Sequence, residues 1–180
     1  MSKKNNFVWM DLEMTGLNAQ ADVILEIATV ITDSDLNVLE EGPSLVITQP
    51  AGLLDAITDQ WIIHYHTKSG LFDAVRASTT TLAQAEQKTL NFIKKYCEPQ
   101  KGILSGNSIW QDRTFLTQHM PQIADYLHYR MVDVSSIKEL VKQWYPYHAP
   151  QSIEKKDMHR ALPDTYESIE ELKYYRQHYF

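Results

Sequence analysis

The sequence predicts an α/β fold in which a mixed sheet is flanked by helices. Two observations support this prediction: three strand-like segments occupy the first fifty residues, and helical and strand-like segments alternate after them. No repeat, low-complexity tract or long linker divides the 180 residues. With 43% hydrophobic residues, the chain is long enough to bury one substantial core, so a single domain is expected.

The first three segments are typical of strands in one sheet. Residues 7–13 are rich in strand formers and alternate apolar and polar side chains near their end. Residues 23–32 form a near-continuous apolar run broken only by Glu26, as in a buried strand. Residues 38–47 form the third segment. Because the connections between the three are short, antiparallel pairing is the simplest prediction.

The rest of the chain alternates helical and extended patterns. Residues 53–63 and 69–75 predict short helices, and residues 82–96 predict the clearest helix because apolar side chains recur on one face. Thr81 and Gln84 form a capping-box pattern at its start. Further along, short strands are predicted at 103–105 and 131–134, and helices at 111–119 (ended by Pro121), 136–144 and 165–178.

The charge of the chain limits the size of nucleic acid that it is expected to bind. The formal net charge is −6 and the sequence pI is about 5.6. Proteins that grip long nucleic acid usually present a basic surface, because neutralisation of phosphates drives that binding. No long nucleic acid is therefore expected as a partner, although a small, local phosphate site is compatible with this charge.

The N-terminal segment and the cysteine content point to a cytoplasmic protein. No apolar run reaches the length needed to cross a bilayer, so no membrane association is expected. Asp11 and Glu13 interrupt the apolar stretch behind the N-terminus, which argues against a signal-peptide core. Cys97 is the only cysteine and cannot form an internal disulfide, so the sequence does not require an oxidising compartment.

Two acidic residues lie near the end of the first predicted strand. Asp11 and Glu13 are two positions apart, so their side chains point to one face, while Met10, Leu12 and Met14 point to the other. Carboxylate oxygens are the ligands that Mg²⁺ and Mn²⁺ prefer. Taken alone, an Asp-x-Glu motif is more often a solvent-exposed pair, so the hypothesis of a metal site depends on further residues.

Two later segments supply further acidic residues and a histidine. A strand, a glycine turn and a helix start bring Asp112 to the same sheet edge, although an acidic residue is also common in any first helical turn. His159 lies five positions before Asp164, and Pro163 between them suits a first helical turn. Taken alone, His159 would be interpreted as a surface residue.

These residues in this order resemble the pattern of DEDDh 3′→5′ exonucleases: Asp11-x-Glu13, then Asp112, then His159 followed five positions later by Asp164. The similarity is closer to the oligoribonuclease family and extends over nearly the whole chain. The matching segments are residues 9–17, 26–29, 36–37, 41–43, 66–71, 106–109, 128–130, 133–135, 138–140, 159–162 and 167–168.

This resemblance implies a ribonuclease H-like fold, with a mixed five-stranded sheet flanked by helices, as a single exonuclease domain over residues 1–180. It implies hydrolysis of short oligoribonucleotides, especially dinucleotides, to nucleoside 5′-monophosphates from the 3′ end. Two divalent cations, Mg²⁺ or Mn²⁺, would act in catalysis. His159 would be the general base, and the metal ligands would be Asp11, Glu13, Asp112 and Asp164.

The resemblance also implies residues that contact the bases of the substrate. Leu17 would wedge between two bases, Trp61 would stack on a base, and His66 would add a further contact. Taken without the resemblance, Trp61 is more simply explained as a core residue.

A second group would bind the 5′-phosphate of the substrate, and one further contact would come from a second subunit. Arg130 can hold a phosphate with two parallel hydrogen bonds. Tyr129 is implied to be donated by the partner in a homodimer. Serine hydroxyls would complete the phosphate site, at Ser108, Ser135 and Ser136; the last two would otherwise be explained as a helix cap.

Two residues depart from the family pattern close to the site. Pro163 stands where an acidic residue is usual, and Trp110 stands where the family prefers glycine. The sequence leaves two alternatives to the short-substrate interpretation. One is a DEDDh exonuclease that acts on the 3′ ends of longer RNA or DNA. The other is a non-catalytic nucleotide-binding or scaffold protein, which the presence of all five site residues disfavours.

Overall fold

The computed structural model describes residues 6–50, 52–146 and 159–180. The N-terminal residues 1–5, which precede the apolar stretch considered above, lie outside these ranges. The strands are β1 Phe7–Met14, β2 Ile24–Thr32, β3 Val38–Val46, β4 Ile103–Gly106 and β5 Met131–Asp133. The helices are α1 Gln60–Lys68, α2 Leu71–Ala77, α3 Leu82–Tyr96, α4 Ile109–His119, α5 Pro121–Tyr126, α6 Val134–Trp144 and α7 Ala161–Tyr179.

The five strands form one mixed sheet in the order β3-β2-β1-β4-β5. β2 is antiparallel to both β1 and β3, which confirms the predicted antiparallel neighbours. β4 is parallel to both β1 and β5. Parallel strands end at a common edge of the sheet, and ligand sites in α/β folds usually lie there. The residues that follow β1, β4 and β5 therefore meet at one edge.

Alternation along β1 divides the core between the two faces of the sheet. Val8, Met10 and Leu12 are buried in a cluster that also contains apolar residues of α3, α4 and α5. Trp9 belongs to a separate cluster with residues of α6 and α7, among them Tyr175. Asp11 and Glu13 follow Trp9 at intervals of two, so they belong to the face covered by α7. The predicted opposition of Met10 and Leu12 to the two carboxylates is confirmed.

The helix bounds agree with the sequence prediction where local hydrogen bonds set them. α3 begins at Leu82 and ends at Tyr96, and the side chains and backbone amides of Thr81 and Gln84 form the predicted capping box.

The single helix predicted over residues 53–63 is wrong. A short 3₁₀ turn at Leu54–Ala56 is followed by extended backbone, and α1 begins only at Gln60. Asp59 causes this restart, because its carboxylate accepts the amide protons of two residues in the first turn.

Three other helices begin earlier than the apolar pattern predicts. α4 begins at Ile109 rather than 111, α6 at Val134 rather than 136, and α7 at Ala161 rather than 165. Apolar periodicity detects the packed middle of a helix and does not set its ends, which depend on backbone geometry and hydrogen bonds. Pro121, predicted to end a helix, is also the first residue of α5, a position where its missing amide proton has no cost. No helix in the described ranges is long and apolar enough to cross a membrane.

Candidate active site

Three carboxylates from the two ends of the chain meet at the edge of the sheet. One oxygen each of Asp11, Glu13 and Asp164 lies within 4.8 Å of the other two. Asp11 and Glu13 extend from β1, and Asp164 lies in the first turn of α7, where its amide donates to the carbonyl of Arg160 at 3.1 Å. Pro163 is thus accommodated in that first turn, and the structure brings together three of the four predicted metal ligands.

Asp112, the fourth predicted ligand, approaches these carboxylates from α4. It is not among the three residues whose oxygens lie within 4.8 Å of one another. Its side chain is buried, and Oδ1 accepts a hydrogen bond from the backbone amide of Leu12 at 2.9 Å. Leu12 lies between Asp11 and Glu13 in β1, so this bond attaches the first turn of α4 to the strand that carries the other two carboxylates. Asp112 is therefore more than an ordinary acidic residue in a first helical turn.

Burial and mutual repulsion disfavour the ionised form of these carboxyl groups. Burial raises the pKa of Asp11 well above its ordinary value, and the neighbouring charges of Asp112, Glu13 and Asp164 add to the effect. Burial and the charge of Asp164 raise the pKa of Glu13 to about 8. Burial likewise raises the pKa of Asp112 to about 7, against the lowering effect of the Leu12 hydrogen bond. A divalent cation would remove this repulsion, and a donor set made of carboxylate oxygens fits a hard cation.

His159 lies two residues before the start of α7 in a left-handed backbone conformation, with φ of 44°. Its half-buried ring contacts two aromatic rings of α1: the ring centroids are 4.2 Å from Tyr65 and 5.6 Å from Trp61. The structure therefore shows a histidine held by two ring contacts and not a loosely held surface residue. Tyr65 was missed by the sequence interpretation, and no pattern in the sequence distinguishes it from an ordinary helix residue.

Glu26 and Arg160 were also absent from the predicted site. The carboxylate of Glu26 accepts hydrogen bonds from the guanidinium of Arg160, with the shortest distance 2.7 Å between Oε1 and Nη2. Glu26 is paired across the sheet with Glu13. A signal for this pair was present in the sequence, because Glu26 is the one charge in an apolar strand and a buried charge requires a partner.

His66, which is predicted to contact the substrate, is buried beside Glu13. Its Nε2 is hydrogen-bonded to the carbonyl of Met14 at 2.9 Å, and its Nδ1 lies 3.8 Å from Oε2 of Glu13. Burial lowers the pKa of His66, which favours the neutral ring. In this structure His66 supports the end of β1, and its side chain is only 3% exposed.

Leu17 and Trp61 are both exposed near the carboxylates. Leu17 is 75% exposed and Trp61 is 56% exposed, so the interpretation of Trp61 as a core residue is wrong. Leu17 lies on a loop that lines a cleft of about 750 Å³, whose other wall is the segment from Leu53 to Asp59. The side-chain Nε2 of Gln111 donates to the carbonyl of Leu17 at 2.6 Å, which attaches this loop to α4.

The predicted serines meet where β4 and β5 end. The hydroxyls of Ser108 and Ser135 are 3.2 Å apart, and the Ser136 hydroxyl donates to Oδ2 of Asp133 at 3.3 Å. Asp133 also accepts the amide protons of Ser108 and Ser135. Asp133 is thus the N-cap of α6, and the alternative in which Ser135 and Ser136 form that cap is wrong.

Arg130 and Tyr129 form a separate exposed group. The guanidinium carbon of Arg130 lies 5.2 Å from the ring centroid of Tyr129, whose ring stacks on His128 with centroids 4.6 Å apart. Tyr129 is 70% exposed. Trp110, the residue that departs from the family pattern, is 57% exposed in the first turn of α4. The structure thus holds the serines together and directs Arg130 toward Tyr129.

Comparisons with known proteins agree with this geometry. Residues 8–172 match the RNase T family of exonucleases. The chain is 52% identical to the oligoribonuclease of Hydrogenovibrio crunogenus over 180 residues, which is 100% of this chain and 97% of that protein. It is 49% identical to the mitochondrial oligoribonuclease of Homo sapiens over 179 residues, which is 99% of this chain and 75% of that protein.

The fold is shared with a larger nuclease. The structure of Escherichia coli exonuclease I in complex with a dT13 oligonucleotide matches with a TM-score of 0.72 at 18% identity, over 95% of this chain and 41% of that chain. This chain therefore spans about two fifths of exonuclease I. The likeness confirms the expected ribonuclease H-like fold. The family match, together with identity near one half over almost the full length, shows that the chain belongs to the oligoribonuclease family of exonucleases.

Proposed function

We propose that this chain hydrolyses short oligoribonucleotides from their 3′ end and releases nucleoside 5′-monophosphates. The observation that supports this function most directly is the convergence of Asp11, Glu13 and Asp164 within 4.8 Å. Asp112 approaches the same strand through the amide of Leu12. Membership of the oligoribonuclease family supports short RNA as the substrate class. We further infer that residues 1–180 act as one exonuclease domain.

The four carboxylates would hold two divalent cations, either Mg²⁺ or Mn²⁺. When bound, such cations lower the pKa of a coordinated water and stabilise the negative charge on the departing 3′-oxygen. Burial is the main cause of the raised pKa values of Asp11, Glu13 and Asp112, with charge repulsion second for Asp11 and Glu13, and bound cations would favour the ionised form of all three. Zinc and single-stranded DNA are bound in one exonuclease I structure of the same fold.

His159 would accept the proton of the attacking water. The water oxygen forms the new bond to phosphorus and the bond from phosphorus to the 3′-oxygen breaks. The 3′-oxygen takes a proton from solvent, so the shortened oligonucleotide leaves with a 3′-hydroxyl, and His159 then releases its proton to solvent. Imidazole suits this role because it exchanges a proton near neutral pH. The rings of Tyr65 and Trp61 hold the imidazole at 4.2 and 5.6 Å between ring centroids.

Exposed side chains around the carboxylates would bind the two ends of a short substrate. Leu17 and Trp61 would contact the bases, since apolar and aromatic faces bind bases of any sequence. Arg130 would contact the 5′-phosphate with the serine hydroxyls. The hydroxyls come from Ser108, Ser135 and Ser136, and His66 would add a further substrate contact beside Glu13.

The exposed Tyr129 is proposed to enter the site of a second copy of the chain in a homodimer. A side chain of this size that is 70% exposed beside Arg130 is available for such a contact. A cytoplasmic location is proposed as well, because the single cysteine, Cys97, does not require an oxidising compartment.

One experiment tests the substrate class. 5′-Phosphorylated RNAs of two to seven nucleotides and a twenty-nucleotide RNA are incubated with Mg²⁺, with Mn²⁺ or with EDTA, and product length is followed with time. We expect the dinucleotide to be hydrolysed fastest, nucleoside 5′-monophosphate to accumulate, and EDTA to stop the reaction. Equal rates on the dinucleotide and the twenty-nucleotide RNA would overturn the short-substrate assignment in favour of an exonuclease for longer 3′ ends.

A further inference from the structure

Glu26 is a charged residue inside an otherwise apolar strand. All nine residues of β2 are buried, and the side chain of Glu26 is 2% exposed. Burying a carboxylate is unfavourable unless a cation and hydrogen-bond donors compensate for the lost water. The partner of Glu26 is Arg160, 134 positions later in the chain. The ion pair therefore joins the start of the chain to the segment that enters α7.

The geometry of this pair fixes both side chains. Nη2 of Arg160 lies 2.7 Å from Oε1 of Glu26, and Nε lies 2.9 Å from Oε2. Two parallel hydrogen bonds of this kind set the orientation of the guanidinium as well as its position. Oε2 also accepts the amide proton of Ala161 at 3.1 Å. Glu26 thereby serves as the N-terminal cap of α7, whose own N-cap residue, Arg160, makes no side-chain cap bond.

The ion pair connects the strand beside Asp11 and Glu13 to the segment that carries His159 and Asp164. Glu26 is opposite Glu13 in the register of β1 and β2. Arg160 directly follows His159, and its carbonyl accepts the amide proton of Asp164. His159 has φ of 44°, a conformation that costs energy for a residue other than glycine and persists only when neighbouring contacts hold it. The two rings of α1 hold the imidazole, whereas Arg160 holds the backbone beside it.

We propose that Arg160 is a positioning residue, whose ion pair with Glu26 holds His159 in its left-handed conformation at the carboxylate cluster. This proposal rests on the proposed function, in which His159 accepts the proton of the attacking water. Arg160 itself need not touch the substrate. A role limited to stability would leave the contribution of His159 to the reaction independent of Arg160, and this difference can be measured.

The first part of the test compares variants of Arg160, the residue that precedes α7, with a variant of an arginine inside that helix. Arg160→Ala, Arg160→Lys and Glu26→Gln are assayed on a 5′-phosphorylated dinucleotide. The control is Arg176→Ala, because Arg176 also extends from α7 to an acidic residue, Asp35, at 2.9 Å. We expect Arg160→Ala to lower kcat by about 10–100-fold, the usual effect of losing a residue that supports a catalytic group. Arg176→Ala should leave kcat unchanged, and Arg160→Lys should restore part of the loss.

The same assay separates His159 from the metal ligands and from the substrate contacts. For Arg160→Ala we expect KM and the Mg²⁺ concentration for half-maximal rate to stay within about threefold of the wild-type values. A displaced Asp164 would instead raise the Mg²⁺ requirement. An unchanged kcat in Arg160→Ala, or a loss confined to KM or to the Mg²⁺ requirement, would overturn the proposal.

A double-mutant cycle with His159→Ala is the decisive measurement. If Arg160 acts through His159, Arg160→Ala should lower kcat by less than about threefold in the His159→Ala background, far less than in the wild type. If the fold-losses in kcat of the two single variants multiply in the double variant, Arg160 acts independently of His159. That result would overturn the proposal while leaving the proposed function intact. A His159→Ala variant with wild-type kcat would overturn both. Should Arg160→Ala not fold, Glu26→Gln replaces it in the cycle, because its amide oxygen can still accept the Ala161 proton.

Discussion

Asp112 accepts the backbone amide proton of Leu12 through Oδ1 at 2.9 Å, so one carboxylate both joins α4 to β1 and faces the other acidic residues. The two tasks can be separated by substitution. An asparagine keeps an oxygen for the Leu12 amide but removes the charge. An alanine removes both the acceptor and the charge.

We therefore expect Asp112→Asn to fold like the wild type and to lose more than about 100-fold in kcat, beyond the usual effect of losing a residue that only supports a metal ligand. Asp112→Ala should lose as much activity and also some stability, because the Leu12 amide is left without its buried acceptor. Circular dichroism, thermal denaturation and dinucleotide hydrolysis provide the measurements. Wild-type activity in either variant would contradict the assignment of Asp112 as a ligand.

The stability of the metal-free protein should fall as pH rises. The folded-state pKa of Glu13 is about 8, above its ordinary value of 4.5, so the folded chain holds a proton that the unfolded chain has released. The contribution to stability is present below pH 4.5 and is lost as pH rises through about 8. Asp112 acts in the same direction up to about pH 7.

Divalent cations should reverse this trend, because they bind the ionised carboxylates. We expect saturating Mg²⁺ to raise Tm more at about pH 8.5 than at about pH 5.5, where protons compete for the same oxygens. Thermal denaturation in Mg²⁺ and in EDTA at both pH values measures this. The same increase in Tm at both pH values would argue against metal binding by these residues.

Arg130→Ala should weaken the binding of a 5′-phosphorylated dinucleotide by about 1.5–3 kcal/mol, the usual range for a hydrogen bond to a charged group. A dinucleotide that lacks the 5′-phosphate should be affected much less. The fold should be unchanged, because Arg130 is exposed and its side chain contacts the exposed ring of Tyr129. An equal loss of affinity for both substrates would show that Arg130 has a structural role.

Leu17→Ala should weaken binding of the dinucleotide by up to about 1.5–3 kcal/mol, the value for burying a whole leucine side chain. A substrate with a single base, such as a nitrophenyl ester of a nucleoside 5′-monophosphate, should be hydrolysed at the wild-type rate. Leu140→Ala, at an exposed leucine of α6, is the matched control. Equal effects on the two substrates would contradict the role of Leu17 between two bases.

If Tyr129 enters the site of a partner subunit, two inactive variants should restore activity when mixed. A dimer of Tyr129→Ala with His159→Ala has one site with both residues intact and one site with neither. Random exchange of subunits should therefore recover about one quarter of wild-type activity. Mixtures that stay inactive after subunit exchange, as followed by native mass spectrometry, would contradict a shared site.

The sequence by itself was sufficient for the parts of the structure that depend on neighbouring residues. The apolar runs of β1 and β2 and the single apolar face of α3 are properties of a short window, so they were predicted with their bounds nearly right. The capping box of Thr81 and Gln84 is equally local, because its partners are three residues apart. The acidic pair in β1 could be assigned to one face for the same reason.

Contacts between distant residues were decided by the tertiary structure alone. The pairing of Glu26 with Arg160 joins positions 134 residues apart, and no local pattern in the sequence encodes which cation approaches a buried carboxylate. The exposure of Trp61 and the burial of His66 depend on which face of α1 is turned toward the rest of the protein. Apolar periodicity determines that a helix packs, whereas the free energy of packing against particular neighbours determines where its polar and aromatic side chains point. The sequence therefore determined which residues could perform the chemistry, and the folded chain determined which of them meet.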